Sequence, residues 1–336
     1  MALFYLVKVS FVLYLVNVLL PKILNKIIMD KIIFESITDC LGSKEDRYFS
    51  SGFKSIDVIY NDILYKEGVL SSNINVETDD NWSKKNGKSL VPHLGTTEFV
   101  SIAAVISQQL LEKELGLSDD EIEASWISRF VCKVRQCTNV DYNIIPVSGK
   151  IISTDPHANF MKSIIQVQIG TVQVAIHVCH PKGFLPKSCE GADHTVDLYQ
   201  NGYKMRDHSI TNVVLDENCM TSFGNVTLLE NDVRKKGIGA GYAGMLLTDF
   251  VLVTGQLTQV LLYHLNRTDR DNSSNLWLRE IDVWCDTPPQ EKRCESMVKF
   301  IKVNLINLNN ETWQSIEMSG SLGNMNSKIK VAQKQK

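Results

Sequence analysis

A helical period and a strand period take turns along this chain, and the same order of periods is run through twice. Over His93 to Leu115 the apolar residues Phe99, Ile102, Val105, Ile106 and Leu110 recur at helical spacing, with Thr96 or Thr97 as N-cap and Gly116 as terminator. Ahead of that helix RYFSSGFKSIDVIYNDILY reads as strand, and the polar stretch 71–88 reads as loop. Behind it SIIQVQIGTVQVAIHV alternates apolar residues with polar ones on both sides of Gly170-Thr171, which predicts a hairpin with one buried face. A connector from Pro181 to Gly202 opens the second round. Strands in SITNVVLDENCMTSFGNVTLL, a helix over Gly244 to Leu265, a strand in NLWLREIDVWC and a strand pair around Asn309-Asn310 follow in turn. The second helix is apolar almost all round, so it is expected to be buried almost all round. A helix wrapped by antiparallel strands, made twice, is the α+β architecture this pattern predicts, with halves spanning 29–190 and 191–336.

Composition narrows the function. The 336 residues are 44% hydrophobic and 22% charged, enough for one large or two medium domains. A net charge of −3 supplies no cationic field, so sequence-independent nucleic-acid binding is not expected. Eight cysteines without a C-x-x-C pair read as reduced thiols of a cytoplasmic protein, and the Asn-x-Ser/Thr sequons matter only in a secreted one. HVCHP, with His177, Cys179 and His180, lacks a second ligand pair at suitable spacing, so neither a metal nor a cofactor is expected. Ala2 to Leu20 is as long as a membrane span and is followed by Lys22, Lys26 and Lys31, yet Lys8 and Asn17 interrupt it and Met29 reads as a second start. Residues 1–28 are therefore either a membrane anchor or an over-long gene start.

Two chemistries compete for GIGAGYAGMLLTDFVLVTGQ. Gly239, Gly241 and Gly244 spell G-x-G-x-x-G, but a dinucleotide site needs those glycines directly after a buried strand and an acid at the next strand end. ENDVRKK intervenes before Gly237, and a polar loop follows the helix. Asp249 fits better as an acid in the first turns of the helix, with Gln256 and Gln259 on its face. The first half repeats this arrangement with Glu98, followed by Ser101 and Gln108 and preceded by His93 and Gly95. At a helix start the dipole favours the carboxylate, while burial raises its pKa, so either acid could be poised as a general base.

GYAGMLLTDFVLVTGQ resembles the central helix of hotdog-fold acyl-thioester enzymes, whose pattern runs P-G-apolar-L-x-x-[E/D]. Gly244 and Asp249 match it, and Ala243 stands at the usual proline. LGSKEDRYFSSGF, HLGTTE and LWLRE are similar to the avirulence protein D family over Met29 to about Gly323. That family is associated with syringolides, acyl-sugar-derived elicitors, and is comparable with the hotdog enzymes of A-factor butyrolactone synthesis.

The resemblance implies a double hotdog that passes a β-ketoacyl group from an acyl carrier protein or coenzyme A thioester to a small sugar such as xylulose. Glu98 or Asp249 would take the proton from the attacking hydroxyl, with His93 a further candidate. Amides at Gly95, Gly241 and Gly244 would hold the thioester oxygen. Gln256 and Arg279 are substrate-binding candidates; Gln256 could equally bond across the two helices, and Arg279 could pair with Asp249, an anionic ligand or a surface acid. Asp249 could instead merely cap its helix, Glu98 could lie on a solvated face, and His93 could be structural. Thioester hydrolysis, dehydration and non-catalytic sensing of a hydrophobic ligand remain alternatives, and self-association of the chain stays open.

Overall fold

The computed structural model describes residues 31–78, 82–85, 87–134, 144–182, 195–231, 233–308 and 310–335. Its elements are β1 (Lys31–Ser36), α1 (Ile37–Leu41), β2 (Ile56–Lys66), β3 (Val69–Thr78), β4 (Lys84–Lys85), β5 (Lys88–Ser89), α2 (Thr96–Leu115), α3 (Asp119–Glu123), β6 (Trp126–Lys133), β7 (Ile145–His157), β8 (Phe160–Ile169) and β9 (Val172–Pro181). They continue as β10 (Thr195–Asp197), β11 (Arg206–Asp216), β12 (Thr221–Glu230), β13 (Arg234–Lys236), α4 (Leu247–Leu265), β14 (Leu276–Trp284), β15 (Arg293–Leu308), β16 (Glu311–Leu322) and β17 (Met325–Lys334). The hydrophobic stretch 1–28, Cys137, Cys189 and the expected boundary at 190/191 lie outside the described residues.

Thirteen strands form one sheet in the order β1-β11-β12-β15-β16-β17-β14-β6-β9-β8-β7-β3-β2. Relabelled within each half, β2-β3-β7-β8-β9-β6 and β11-β12-β15-β16-β17-β14 are the same order, 1-2-4-5-6-3, with the long helix inserted after the second strand. One such sheet around one helix is a hotdog; the chain is a double hotdog, joined where β14 pairs antiparallel with β6. The N-terminal β1 does not join its own half. It pairs with β11 and extends the far edge of the second.

The repeat extends to side chains. Short 3-10 turns, Gly52–Ser55 and Gly202–Met205, lead into β2 and β11, and each strand is bulged near its middle at a positive-φ residue, Asp62 or Asn212. Across the two turns Phe53 stacks on Tyr203 at 6.1 Å. Lys54 reaches Asp207 at 2.6 Å, and Lys204 reaches Asp57 at 2.5 Å. Offsetting the sequence by 150 residues thus superposes the two repeats around these turns, so Tyr48, Ile56 and Val58 correspond to Leu198, Arg206 and His208.

Both long helices are enclosed. α2 packs on β2, β7, β8 and β9, α4 packs on β11, β12, β15 and β16, and the helices touch each other. Of the 19 residues of α4, 15 are buried, as its all-round apolar sequence requires. The hydroxyls of Ser107, Thr254 and Thr258 bond back to carbonyls four residues earlier at 2.6–2.7 Å, which keeps them satisfied in the core.

Three expectations change. The segment 71–78 is strand rather than loop, because Leu70, Ser72 and Ile74 turn inward while polar residues between them face out. Arg47–Phe49 precedes a 3-10 turn rather than lying in a strand, and the strand begins at Ile56. The helix ends are close to expectation: α2 stops at Gly116, whose φ of 69° is left-handed, but its N-cap is Gly95 and not a threonine. The large sheet is antiparallel throughout, so the glycines of 239–244 do not sit in a βαβ crevice.

Candidate active site

Glu98 is the third residue of α2 and is wholly buried. Its Oε2 accepts from the Gly95 amide at 2.7 Å and from the Tyr48 hydroxyl at 2.5 Å, while Oε1 has no protein partner. Burial outweighs these donors and pushes the carboxyl up to about 6. Gly95 is required there: a Cβ would come within 2.3 Å of the Tyr48 oxygen and 2.8 Å of Glu98 Oε2.

In front of this pair lies a cavity of about 130 Å³. Tyr48, Trp82, His93, Phe99, Leu276 and Trp277 supply much of its wall, and α4, the segment after it and β14 contribute the part that belongs to the other repeat. His93 sits between Trp82 at 4.9 Å and Trp277 at 5.1 Å, and burial lowers its pKa from the ordinary imidazole value. Arg47, Lys85, Arg270 and Arg279 also line the cavity, and among the described residues no acid does. An otherwise anionic chain therefore presents a locally cationic, aromatic recess.

Asp249 is the third residue of α4 and also wholly buried, but every part of its surroundings differs. Arg206 approaches it with Nε at 3.0 Å and Nη2 at 2.8 Å, His208 Nε2 lies at 2.9 Å, and the Leu246 amide donates at 2.6 Å. Arg206 also donates to Glu230 at 2.9 Å and to the Gly244 carbonyl at 2.7 Å, and Lys235 and Lys292 hold Glu230 from outside. Although burial alone would raise it, the Arg206 guanidinium and His208 hold the Asp249 carboxyl well below the usual range. The cavity beside this helix start is only about 30 Å³. The structure thus departs from the expectation of a poised base at Asp249: it is a fixed, saturated anion.

Other expected residues redistribute in the same way. The amides of Gly95 and Gly241 are already engaged, by Glu98 and by the Glu123 carbonyl at 2.9 Å, so neither is available for a thioester oxygen. Gly244 serves close packing, since a Cβ there would lie 2.4 Å from the Pro289 backbone. Gln256 is buried and binds protein: its Oε1 accepts from Arg47 at 2.9 Å, and its Nε2 donates to the Phe49 carbonyl at 3.2 Å. It anchors the segment that carries Tyr48. Arg279 is exposed at the cavity wall, with Arg206 taking the place beside Asp249.

Tyr48, Arg206 and His208 were not singled out from sequence. The signal was the repeat itself: SGFKSIDV against NGYKMRDH shows Arg206 and His208 replacing Ile56 and Val58 at inward positions. Among the described residues no cluster of His, Cys, Asp or Glu could hold a metal ion, and no helix is long and apolar enough to cross a membrane.

The model of the family described as Pseudomonas avirulence D protein (AvrD) matches residues 31–335. A search of curated proteins gives no match. Among solved structures, the chain is similar to a conserved protein of unknown function with hot dog fold from Alicyclobacillus acidocaldarius, at 8% identity, 86% of this chain, 98% of the other and a TM-score of 0.39. It is also similar to an acyl-CoA thioesterase II from Mycobacterium marinum, at 7% identity, 82% and 94% coverage and a TM-score of 0.37. A 12:0-ACP thioesterase from Umbellularia californica is similar at 6% identity, 80% and 99% coverage and a TM-score of 0.38.

Proposed function

This chain belongs to the AvrD family, and from that premise we propose that its Glu98 site transfers an acyl group from a thioester to a small hydroxyl compound. The donor in this reading is a β-ketoacyl thioester on an acyl carrier protein or coenzyme A. The acceptor is a xylulose-like sugar or polyol, and the product is an acyl-sugar-derived signal or elicitor.

The observation that carries the reading is the buried Glu98 carboxyl, held near neutrality behind a recess that is both aromatic and cationic. A base of that pKa is mostly ionised at pH 7 and still accepts a proton readily. The apolar wall suits an acyl chain, and the cations suit the phosphates that acyl carriers bear. The α2 N-terminus borders the cavity, and its positive dipole end favours negative charge of the kind a thioester oxygen gains on attack.

Purified protein incubated with a β-ketoacyl-coenzyme A, with and without xylulose, tests this by free-thiol release and mass spectrometry. Acyl-sugar should form only when the sugar is present. Equal thiol release in its absence would replace transfer with hydrolysis. Undiminished biological output from a Glu98→Gln variant would make the cavity a sensor's rather than an enzyme's.

A further inference from the structure

Glu98 does not form part of the cavity wall; Tyr48 does. The tyrosine lies between the acid and the space where substrate would sit, with its hydroxyl 2.5 Å from Glu98 Oε2. Its ring is held in place by edge contacts to Phe49 at 5.2 Å and Trp82 at 5.6 Å. The segment that carries it is tied to α4 through Arg47, the Phe49 carbonyl and Gln256. Where the repeat has closed its cavity, the corresponding residue is Leu198, and the acid is neutralised by Arg206 instead. In the other repeat the cavity shrinks to about 30 Å³, and Asp249 is held by Arg206, His208 and an amide rather than by a hydroxyl.

We propose that Tyr48 is the catalytic residue that touches substrate, and that Glu98 acts only through it. This rests on the acyl-transfer reading above. As the acceptor oxygen bonds to the thioester carbon, the acceptor proton moves to Tyr48 Oη and the tyrosine's own proton moves to Glu98 Oε2. When the C–S bond breaks, the same path runs backwards and delivers the proton to the departing thiolate. The net change is thioester plus alcohol to ester plus thiol, with Tyr48 and Glu98 restored. A tyrosine in this place solves a geometric difficulty: a wholly buried carboxylate reaches a substrate it cannot contact.

The test combines kinetics with a titration that needs no substrate. Tyr48→Phe and Glu98→Gln should each lower acyl transfer, or thioester hydrolysis if water is the acceptor, by about a hundredfold or more. Tyr48→Phe/Glu98→Gln should lose no more than the worse single variant, because the pair acts as one unit. Tyr48→Phe within about threefold of wild type, with Glu98→Gln inactive, would overturn the relay.

Separately, the Glu98 carboxyl, identified in carbon-13 spectra by its loss in Glu98→Gln, should titrate higher in Tyr48→Phe, which lacks the donor that favours the carboxylate. Tyr203 and Lys204, the other ionisable groups that act on Glu98, are unchanged in that variant. Identical titration in both proteins would overturn the dyad. A wild type that turns over no acyl thioester, with the titration shifted as expected, would instead sink the acyl-transfer reading. Gly95→Ala, which retains the hydroxyl but pushes it off Glu98, should reproduce the kinetic loss; normal turnover by that variant would count against the relay.

Discussion

Glu98 and Asp249 occupy the same turn of equivalent helices in a duplicated fold, and both are fully buried, yet they carry opposite electrostatics. Around Glu98 the donors are a hydroxyl and one amide, one oxygen is left without a protein partner, and desolvation wins. Around Asp249 a guanidinium, an imidazole and an amide saturate the carboxylate, and attraction wins. Burial by itself therefore says nothing about reactivity. What matters is whether the partner supplied by the segment packed against the helix start is a cation or a neutral donor.

The comparison is broken most forcefully by exchanging each acid for its amide. Glu98→Gln should lower kcat/KM by about 10²–10⁴-fold. Asp249→Asn, assayed at equal folded concentration, should stay within about threefold of wild type, since Arg206, His208 and the Leu246 amide hold its carboxylate and the cavity beside it is only about 30 Å³. Comparable losses from both would show that both repeats react.

Stability should answer the other way round. Asp249→Asn leaves Arg206 buried without its main counter-ion, a change that costs about 3–5 kcal/mol and is measurable by denaturant unfolding. Replacing both partners with apolar residues, Arg206→Ile with Asp249→Leu, should recover much of that loss, as Ile56 already occupies the corresponding place in the first repeat. Because the Asp249 pKa is depressed in the fold, its contribution is present above the ordinary carboxylate range and fades as pH falls through the folded value.

Glu98 has the reverse sign. Its folded pKa of about 6 exceeds the ordinary 4.5, so the folded state binds more protons than the unfolded one between those values and stability drops as pH rises through them. Glu98→Gln should therefore stabilise the protein by about 2 kcal/mol at pH 7, with the gain vanishing below pH 4.5. A destabilised Glu98→Gln protein at pH 7 would show that the carboxylate, rather than the neutral acid, is what the fold prefers. The smallest effect is expected at the exposed rim. Arg279→Ala should raise KM for a coenzyme A thioester about threefold at low salt and less at high salt, with kcat unchanged.

Much of the scaffold was readable from periodicity. The Gly170-Thr171 hairpin, the buried α4 and the left-handed stop at Gly116 all follow from patterns spanning fewer than twenty residues. Residues 71–78 misled because their outward face is polar and Asn-rich, and a half-exposed strand shares that composition with a loop. The site was less legible. Asp249 meets a guanidinium 43 residues earlier in the chain, and Glu98 meets a hydroxyl 50 residues earlier, distances over which no local pattern speaks. Strand alternation would put Arg279 on one side with Trp277 and Ile281, where Asp249 is one of several candidate partners, but β14 is bulged between Leu278 and Glu280, which breaks that alternation at Arg279.

The order of elements, the duplication and the placing of an acid at the third position of each long helix are properties of the linear chain, because they depend on spacing alone. Which acid is pushed up and which is held down was decided only when β11 brought Arg206 and His208 to one helix start and the Tyr48 segment reached the other. A pKa is set by neighbours within a few ångströms, and those neighbours exist only in the folded molecule.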